Sequence, residues 1–161
     1  MNEQHASLIR KFYSAFADHD AEGMIACYHK DVAFTDPCIG TLRGTEAGNM
    51  WRMLVERGGD DLIIIFSNVK ADDRKGSAYW EAIYNFSSTN RKVHNKIMAR
   101  FEFRDGLIEK HTDDFDFWKW SGMALGIPGL LLGWTGFFRS KFQSRAREML
   151  TRYTQKAKQK R

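Results

Sequence analysis

The sequence predicts an α+β fold: a curved antiparallel sheet packed on N-terminal helices, with a C-terminal helical extension. Three observations predict it. Apolar residues recur at helical spacing early in the chain. The period then changes to two, in long β-forming runs separated by the turn sequences "DDRKG", "TN" and "RDG". Past Trp120 the pattern turns helical again and becomes strongly basic. The boundaries read as residues 1–120 for the α+β domain and 121–161 for an apolar linker and a basic amphipathic helix.

Leu8, Ile9, Phe12, Ala15 and Phe16 fall on one helical face, so the first helix spans about Glu3 to Ala17. Asp20 suits the cap of a short second helix through Tyr28, with Met24 and Ile25 inward. "VAFTDP" reads as a strand stopped by Pro37, which biases Asp36 toward an extended backbone. Thr45 suits the cap of a third helix, ended by Gly58 and Gly59. "LIIIFSNVKA", "SAYWEAIYNFSS", "KVHNKIMARFEF" and "LIEKHTDDFDFW" then form an antiparallel meander.

The strand faces follow. A two-residue "TN" turn sets Tyr84 opposite Asn95 and Trp80 opposite Ala99. A three-residue "RDG" turn sets Phe101 opposite Glu109, Ala99 opposite His111 and Ile97 opposite Asp113. Val93, Ile97, Ala99, Phe101 and Phe103 share one nearly apolar face, opposite His94, Lys96, Arg100 and Glu102. The helices cover the apolar face. By period two, His111 and Asp113 point to that covered side, and Asp114 and Asp116 point to water.

Composition bounds the function classes. Hydrophobic residues make up 43% and charged residues 28% of the chain, ordinary for a soluble protein. Cys27 and Cys38 are too few for a disulfide framework and match no zinc spacing, so two reduced thiols in a cytoplasmic protein are expected. The N-terminal stretch has no uncharged hydrophobic run and is no signal peptide. Residues 121–138 carry no charge, but five glycines and a proline argue for a buried or partner-facing segment over a membrane span. The net charge of +5 hides an asymmetry. From Arg139 onward nine Lys/Arg face one acid, Glu148, giving +8, while residues 1–138 carry −3.

The helices, the strand ending in Asp-Pro, the glycine-bounded third helix and the meander resemble the nuclear transport factor 2-like superfamily, of cone-shaped, cystatin-like architecture. The resemblance covers residues 4–120 and rests on "FYSAFADHDAEGMIACYHKDVAFTDPCIG", "LRGTEA" and "FRDGLIEKHTDDFDF". The last is similar to the SnoaL-like pattern, in which a strand carries a histidine and an aspartate. In such proteins the sheet curls around a pocket that the helices close.

The resemblance implies site residues. Asp36 matches the general base of the ketosteroid isomerases, but Phe12 and Ala99 stand where that branch keeps its oxyanion-binding tyrosine and aspartate. True ketosteroid isomerase activity is therefore not expected. The arginine–aspartate pair of limonene epoxide hydrolases also fails, because Ile97, Met98, Ala99 and Arg100 include no carboxylate. A SnoaL-like set remains: Asp36, His111 and Asp113 as catalytic candidates, with Phe12, Trp51, Trp80, Tyr84, Asn95 and Ala99 as ligand contacts. Asp113 or Asp36 would remove a proton next to a carbonyl, and His111 or Asn95 would hydrogen-bond the developing oxygen. No metal and no cofactor are expected. The competing reading is a non-catalytic ligand-binding or dimerisation domain. There Asp36 caps its own turn and His111 pairs with Asp113.

Phe138, Phe142, Ala146, Met149, Tyr153 and Ala157 recur at spacings of three and four, making the tail an amphipathic helix with a basic outer face. It is expected to pack on the pocket mouth or on a second subunit. The alternative is peripheral contact with an anionic membrane. The expected partners are an apolar small molecule and a second copy of the chain, with no nucleic acid.

Overall fold

The apolar stripe near the N-terminus folds as helix α1 (Glu3–Ala17) in a computed structural model, which describes residues 1–160. Asn2 caps it by accepting from the His5 backbone N–H at 3.1 Å. Ile9, Phe12, Tyr13 and Phe16 are buried under the sheet. Helix α2 (Ala21–Ile25) is capped by Asp20, as the sequence indicates. It ends before Tyr28, because Tyr28 opens strand β1 (Tyr28–Asp36). Strand β2 (Gly40–Arg43) turns back on β1. Helix α3 (Thr45–Gly58) starts one residue earlier than expected: Gly44, at φ +55°, is the N-cap, and Thr45 is already helical. Gly59, at φ +56°, stops it in the left-handed region that suits glycine.

Strands β3 (Ile63–Ala71), β4 (Lys75–Phe86), β5 (Arg91–Arg104) and β6 (Leu107–Asp114) form the expected meander. The whole sheet has six strands, ordered β2-β1-β6-β5-β4-β3, and does not close. It is mixed rather than wholly antiparallel, since β1 pairs parallel with β6, Phe34 opposite His111. That join brings the end of β1 beside the inward face of β6, and so creates the site.

Two registers differ from the sequence reading by two residues, which keeps the expected faces except where a bulge turns Glu109 outward. The β4–β5 turn uses four residues, not two, so Tyr84 faces Val93 and Trp80 faces Ile97. The β5–β6 turn is the two-residue Asp105-Gly106, both at positive φ, so Arg104 pairs with Leu107. A bulge at Glu109 then sets Phe101 opposite His111 and Ala99 opposite Asp113. Val93, Ile97, Ala99 and Phe101 are buried as expected, and His94, Lys96, Arg100 and Glu102 are exposed.

The strand expected to run to Trp118 ends at Asp114. Asp116 instead caps helix α4 (Phe117–Leu125), accepting from the Lys119 N–H at 3.1 Å. Helix α5 (Ile127–Leu132) folds back on α4, and helix α6 (Gly136–Gln159) crosses the open side of the cone. The glycines of residues 121–138 serve this packing. A Cβ at Gly129 would lie 2.0 Å from the Ser121 carbonyl oxygen, and one at Gly133 2.0 Å from Ser121 Oγ. The apolar side chains between them are exposed, not buried.

Helix α6 places Phe138, Phe142, Ala146, Met149 and Tyr153 against the body, with Leu150 buried and Ala157 outside. Gln143 donates to the Pro37 carbonyl at 3.0 Å, Arg147 to the Thr41 carbonyl at 2.8 Å, and Tyr153 to Glu56 at 2.7 Å. Among the described residues no helix is long and apolar enough to cross a membrane. Cys27 is buried and Cys38 half-buried, both as free thiols.

Candidate functional site

The concave face of the sheet, α3 and the α4–α6 segment enclose a cavity of about 810 Å³. Its wall is largely apolar, and it includes Asp36, Asp113, Asn95 and Tyr84. Such a concave apolar space with a few converging polar groups is the usual form of a small-molecule site.

Asp36 is the last residue of β1, and the turn after it explains half of its carboxylate. Oδ1 accepts from the Cys38 and Ile39 N–H groups, both at 2.8 Å. Oδ2 has no protein partner among the described residues, on a residue that lines the cavity. Asp36 thus caps its own turn with one oxygen and leaves the other without a protein partner among the described residues. Burial raises its pKa from 3.8 to about 7, helped by the Asp113 charge and opposed by the two backbone N–H groups and by Arg139.

Asp113 is buried on the inward face of β6. Its Oδ1 accepts from His111 Nε2 at 2.9 Å and from Trp80 Nε1 at 3.2 Å. His111 Nδ1 lies 2.7 Å from the Tyr28 hydroxyl, which accepts from Trp51 Nε1 at 2.9 Å. Indole N–H groups only donate, so Trp51 donates to the Tyr28 oxygen. The His111 ring joins Tyr28 to Asp113 through its two nitrogens. Burial pushes the Tyr28 phenol well above its ordinary range despite the Trp51 bond, so it stays protonated. Phe12, Phe34, Trp51 and Phe101 surround the imidazole, with ring centroids 4.5–6.0 Å away.

The structure therefore separates the expected residues. Asp36, Asp113, Trp51, Trp80, Tyr84 and Asn95 share the cavity. His111 does not reach it: the side chain is fully buried and both ring nitrogens are engaged. It holds Asp113 in place and cannot hydrogen-bond a ligand oxygen. Phe12 and Ala99 are fully buried in the core behind the cavity wall, not ligand contacts. Tyr13, beside Trp80 and Phe101, has the one buried side-chain polar atom without a partner among the described residues.

Two donors remain available. The Asn95 side chain is buried against the cavity and has no protein partner among the described residues. The Tyr84 oxygen accepts from Trp120 Nε1 at 2.9 Å, leaving its own proton unused. Burial raises the Tyr84 pKa, so that proton is retained. Sequence reasoning missed Tyr28, whose link to His111 spans 83 positions, and the Arg139 charge that acts on Asp36. It also missed the cavity wall supplied by Met50, Met53 and Cys38. No local spacing signals these contacts, because β1–β6 pairing and the docking of α6 create them. Among the described residues no group of three His, Cys, Asp or Glu is placed to hold a metal ion.

Residues 9–111 match the SnoaL-like domain. No curated protein is significantly similar to the chain in sequence. Solved structures share the fold at low identity. A putative polyketide cyclase from Xanthomonas campestris pv. campestris is 20% identical, with a TM-score of 0.60 over 75% of this chain and 96% of its own. Bal32a, from a soil-derived mobile gene cassette, is 18% identical with a TM-score of 0.66 over 75% and 96%. An LEH-like epoxide hydrolase of M. tuberculosis is 17% identical with a TM-score of 0.59 over 80% and 96%.

Proposed function

The chain belongs to the SnoaL-like domain family, and from that premise we propose that its cavity binds an apolar, carbonyl-containing small molecule and moves a proton on it. The observation that carries this reading is the pair of carboxylates, Asp36 and Asp113, in one apolar cavity, with Asp36 raised to about 7. A base poised near the working pH combines a useful ionised fraction with enough basicity.

Asp36 is the proton carrier in this scheme. Its unpartnered Oδ2 takes a proton from the carbon next to the carbonyl, and the electron pair of that C–H bond moves into an enolate. The Asn95 amide and the Tyr84 hydroxyl stabilise the enolate oxygen. Asp36 then returns the proton to carbon, which completes an isomerisation or exchange; in a cyclisation the enolate carbon attacks a second carbonyl within the ligand, whose π electrons move to oxygen, and Asp36 gives its proton to that alkoxide. Asp113 stays anchored by His111 and Trp80, and its charge keeps Asp36 basic. His111, Tyr28 and Trp51 are positioning residues.

The test is deuterium wash-in at the α-carbon of an apolar cyclic ketone such as β-tetralone, followed by mass spectrometry. The expected result is catalysed exchange whose rate rises through an apparent pKa near 7, and a loss of roughly 100-fold or more in Asp36→Asn. Binding of the ketone without exchange in the wild type overturns the catalytic reading and leaves a ligand-binding domain.

A further inference from the structure

The strongest feature outside the cavity is an apolar crown on α5 and its flanks. Ile127 is 71% exposed, Trp134 68% and Phe137 79%, with Leu130 and Leu131 also exposed beside them. Nothing in the fold requires this. The cost of exposing so much contiguous apolar surface marks an interaction site. The crown is also held firmly, since Gly129 and Gly133 seat α5 directly on Ser121, and Trp118 donates to the Leu130 carbonyl at 2.8 Å.

The sequence around the crown carries charge of one sign. Residues 117–147 contain no Asp or Glu, while Lys119, Arg139, Lys141 and Arg145 are exposed around the crown. The nearest acids in sequence are Asp116, which caps α4, and Glu148, which pairs with Arg152. Lys141 lies over the Phe137 ring at 5.7 Å, its ammonium above a ring that points outward. That is the arrangement of a side chain whose stem is apolar and whose head stays at a polar boundary.

We propose that this crown docks the protein on an anionic lipid bilayer. Ile127, Leu130, Leu131, Trp134 and Phe137 would enter the acyl boundary, and the cationic collar would rest on the headgroups. A second copy of the chain fits less well. A two-fold interface would press the collar against itself, with no acid to answer it. Leu132, Phe137 and Lys141 also line the cavity, so docking sets its mouth at the bilayer surface. Passage of an apolar ligand from lipid to cavity rests on the binding reading above; docking itself does not.

The experiment is flotation of the full chain with phosphatidylcholine vesicles and with vesicles carrying about 30% phosphatidylglycerol, at two salt concentrations. The wild type is expected to float with anionic vesicles, less so in high salt. Ile127→Ser/Leu131→Ser/Trp134→Ser should lose more than tenfold in affinity. Each charge reversal at Lys141 or Arg145 should cost at least about fivefold on anionic vesicles. These side chains are exposed, and circular dichroism checks that the fold is kept. Asp36→Asn should float as the wild type does, which separates this test from that of the chemistry. Absence of flotation, equal flotation with neutral vesicles, or unchanged flotation of all three variants overturns the proposal. So does a dimer in light scattering that Leu131→Glu dissociates, which would make a second copy the occupant.

Discussion

At the scale of the residue, Asp36 concentrates the tension between folding and chemistry. Its Oδ1 stabilises the turn after β1, while its burial near Asp113 disfavours the charge. The sign of the pH effect follows. The folded-state pKa, about 7, lies above the ordinary 3.8, so between those values the folded state binds more protons than the unfolded one. The stability this group contributes is therefore fully present below about pH 4 and is lost as pH rises to about 7, a fall of about 4 kcal/mol. Asp36→Asn keeps an acceptor for the Cys38 and Ile39 N–H groups and removes the charge. The expected outcome of urea unfolding at pH 5 and pH 8 is a flatter pH dependence and greater stability than the wild type at pH 8. An unchanged slope would assign the pH dependence to another group. The inward direction of Asp113 was legible in the sequence because it is in phase with a buried strand face, whereas Asp36 stood out through the family resemblance. The role of His111 was not legible, because only three-dimensional packing reveals that Tyr28 and Asp113 occupy both of its nitrogens.

At the scale of the element, period and punctuation predict α1 to the residue and the inward face of β5. Register is less legible, since it depends on turn length. Ser87–Asn90 form a four-residue turn where two were expected, and the β5–β6 turn closes over two where three were. The Glu109 bulge offsets the second difference. Strict alternation inward from His111 and Asp113 would also bury Glu109; the bulge buries Ile108 instead and leaves Glu109 to pair with Arg104 at 2.7 Å. The glycines of 121–138 carry a similar lesson. Read locally they weaken a helix, yet in three dimensions they let two short helices touch. Gly129→Ala tests this directly. A methyl group 2.0 Å from the Ser121 carbonyl oxygen must push α5 off α4. The expected cost is about 1–3 kcal/mol in thermal unfolding, with faster amide exchange confined to residues 117–133. Exchange unchanged there would mean that the two helices are not coupled.

At the scale of the whole molecule, the question is whether residues 121–161 extend a complete domain or complete an incomplete one. The sheet and α1–α3 bury their own core, with Trp51, Phe12 and Phe101 fully enclosed. Phe138, Phe142 and Ala146 of α6, by contrast, form one wall of the cavity, and Phe142 packs on Trp120 at 5.1 Å. Leu150 is its one buried residue among the core side chains, while Gln143, Arg147 and Tyr153 hold the helix by hydrogen bonds to the turn after β1, to β2 and to α3. Packing of this kind closes a pocket more than it holds a sheet together. A chain ending at Thr135 should therefore keep its β-sheet signal in circular dichroism and unfold cooperatively, at lower stability. Its uncovered cavity should bind an apolar dye such as ANS more strongly, and its affinity for an apolar ketone should fall by about tenfold or more, since binding depends on enclosure. Loss of the cooperative transition would place α6 inside the folding unit and move the domain boundary to the end of the chain. Retention of full ketone affinity would remove α6 from the binding site and leave the crown it supports as the reason for the extension.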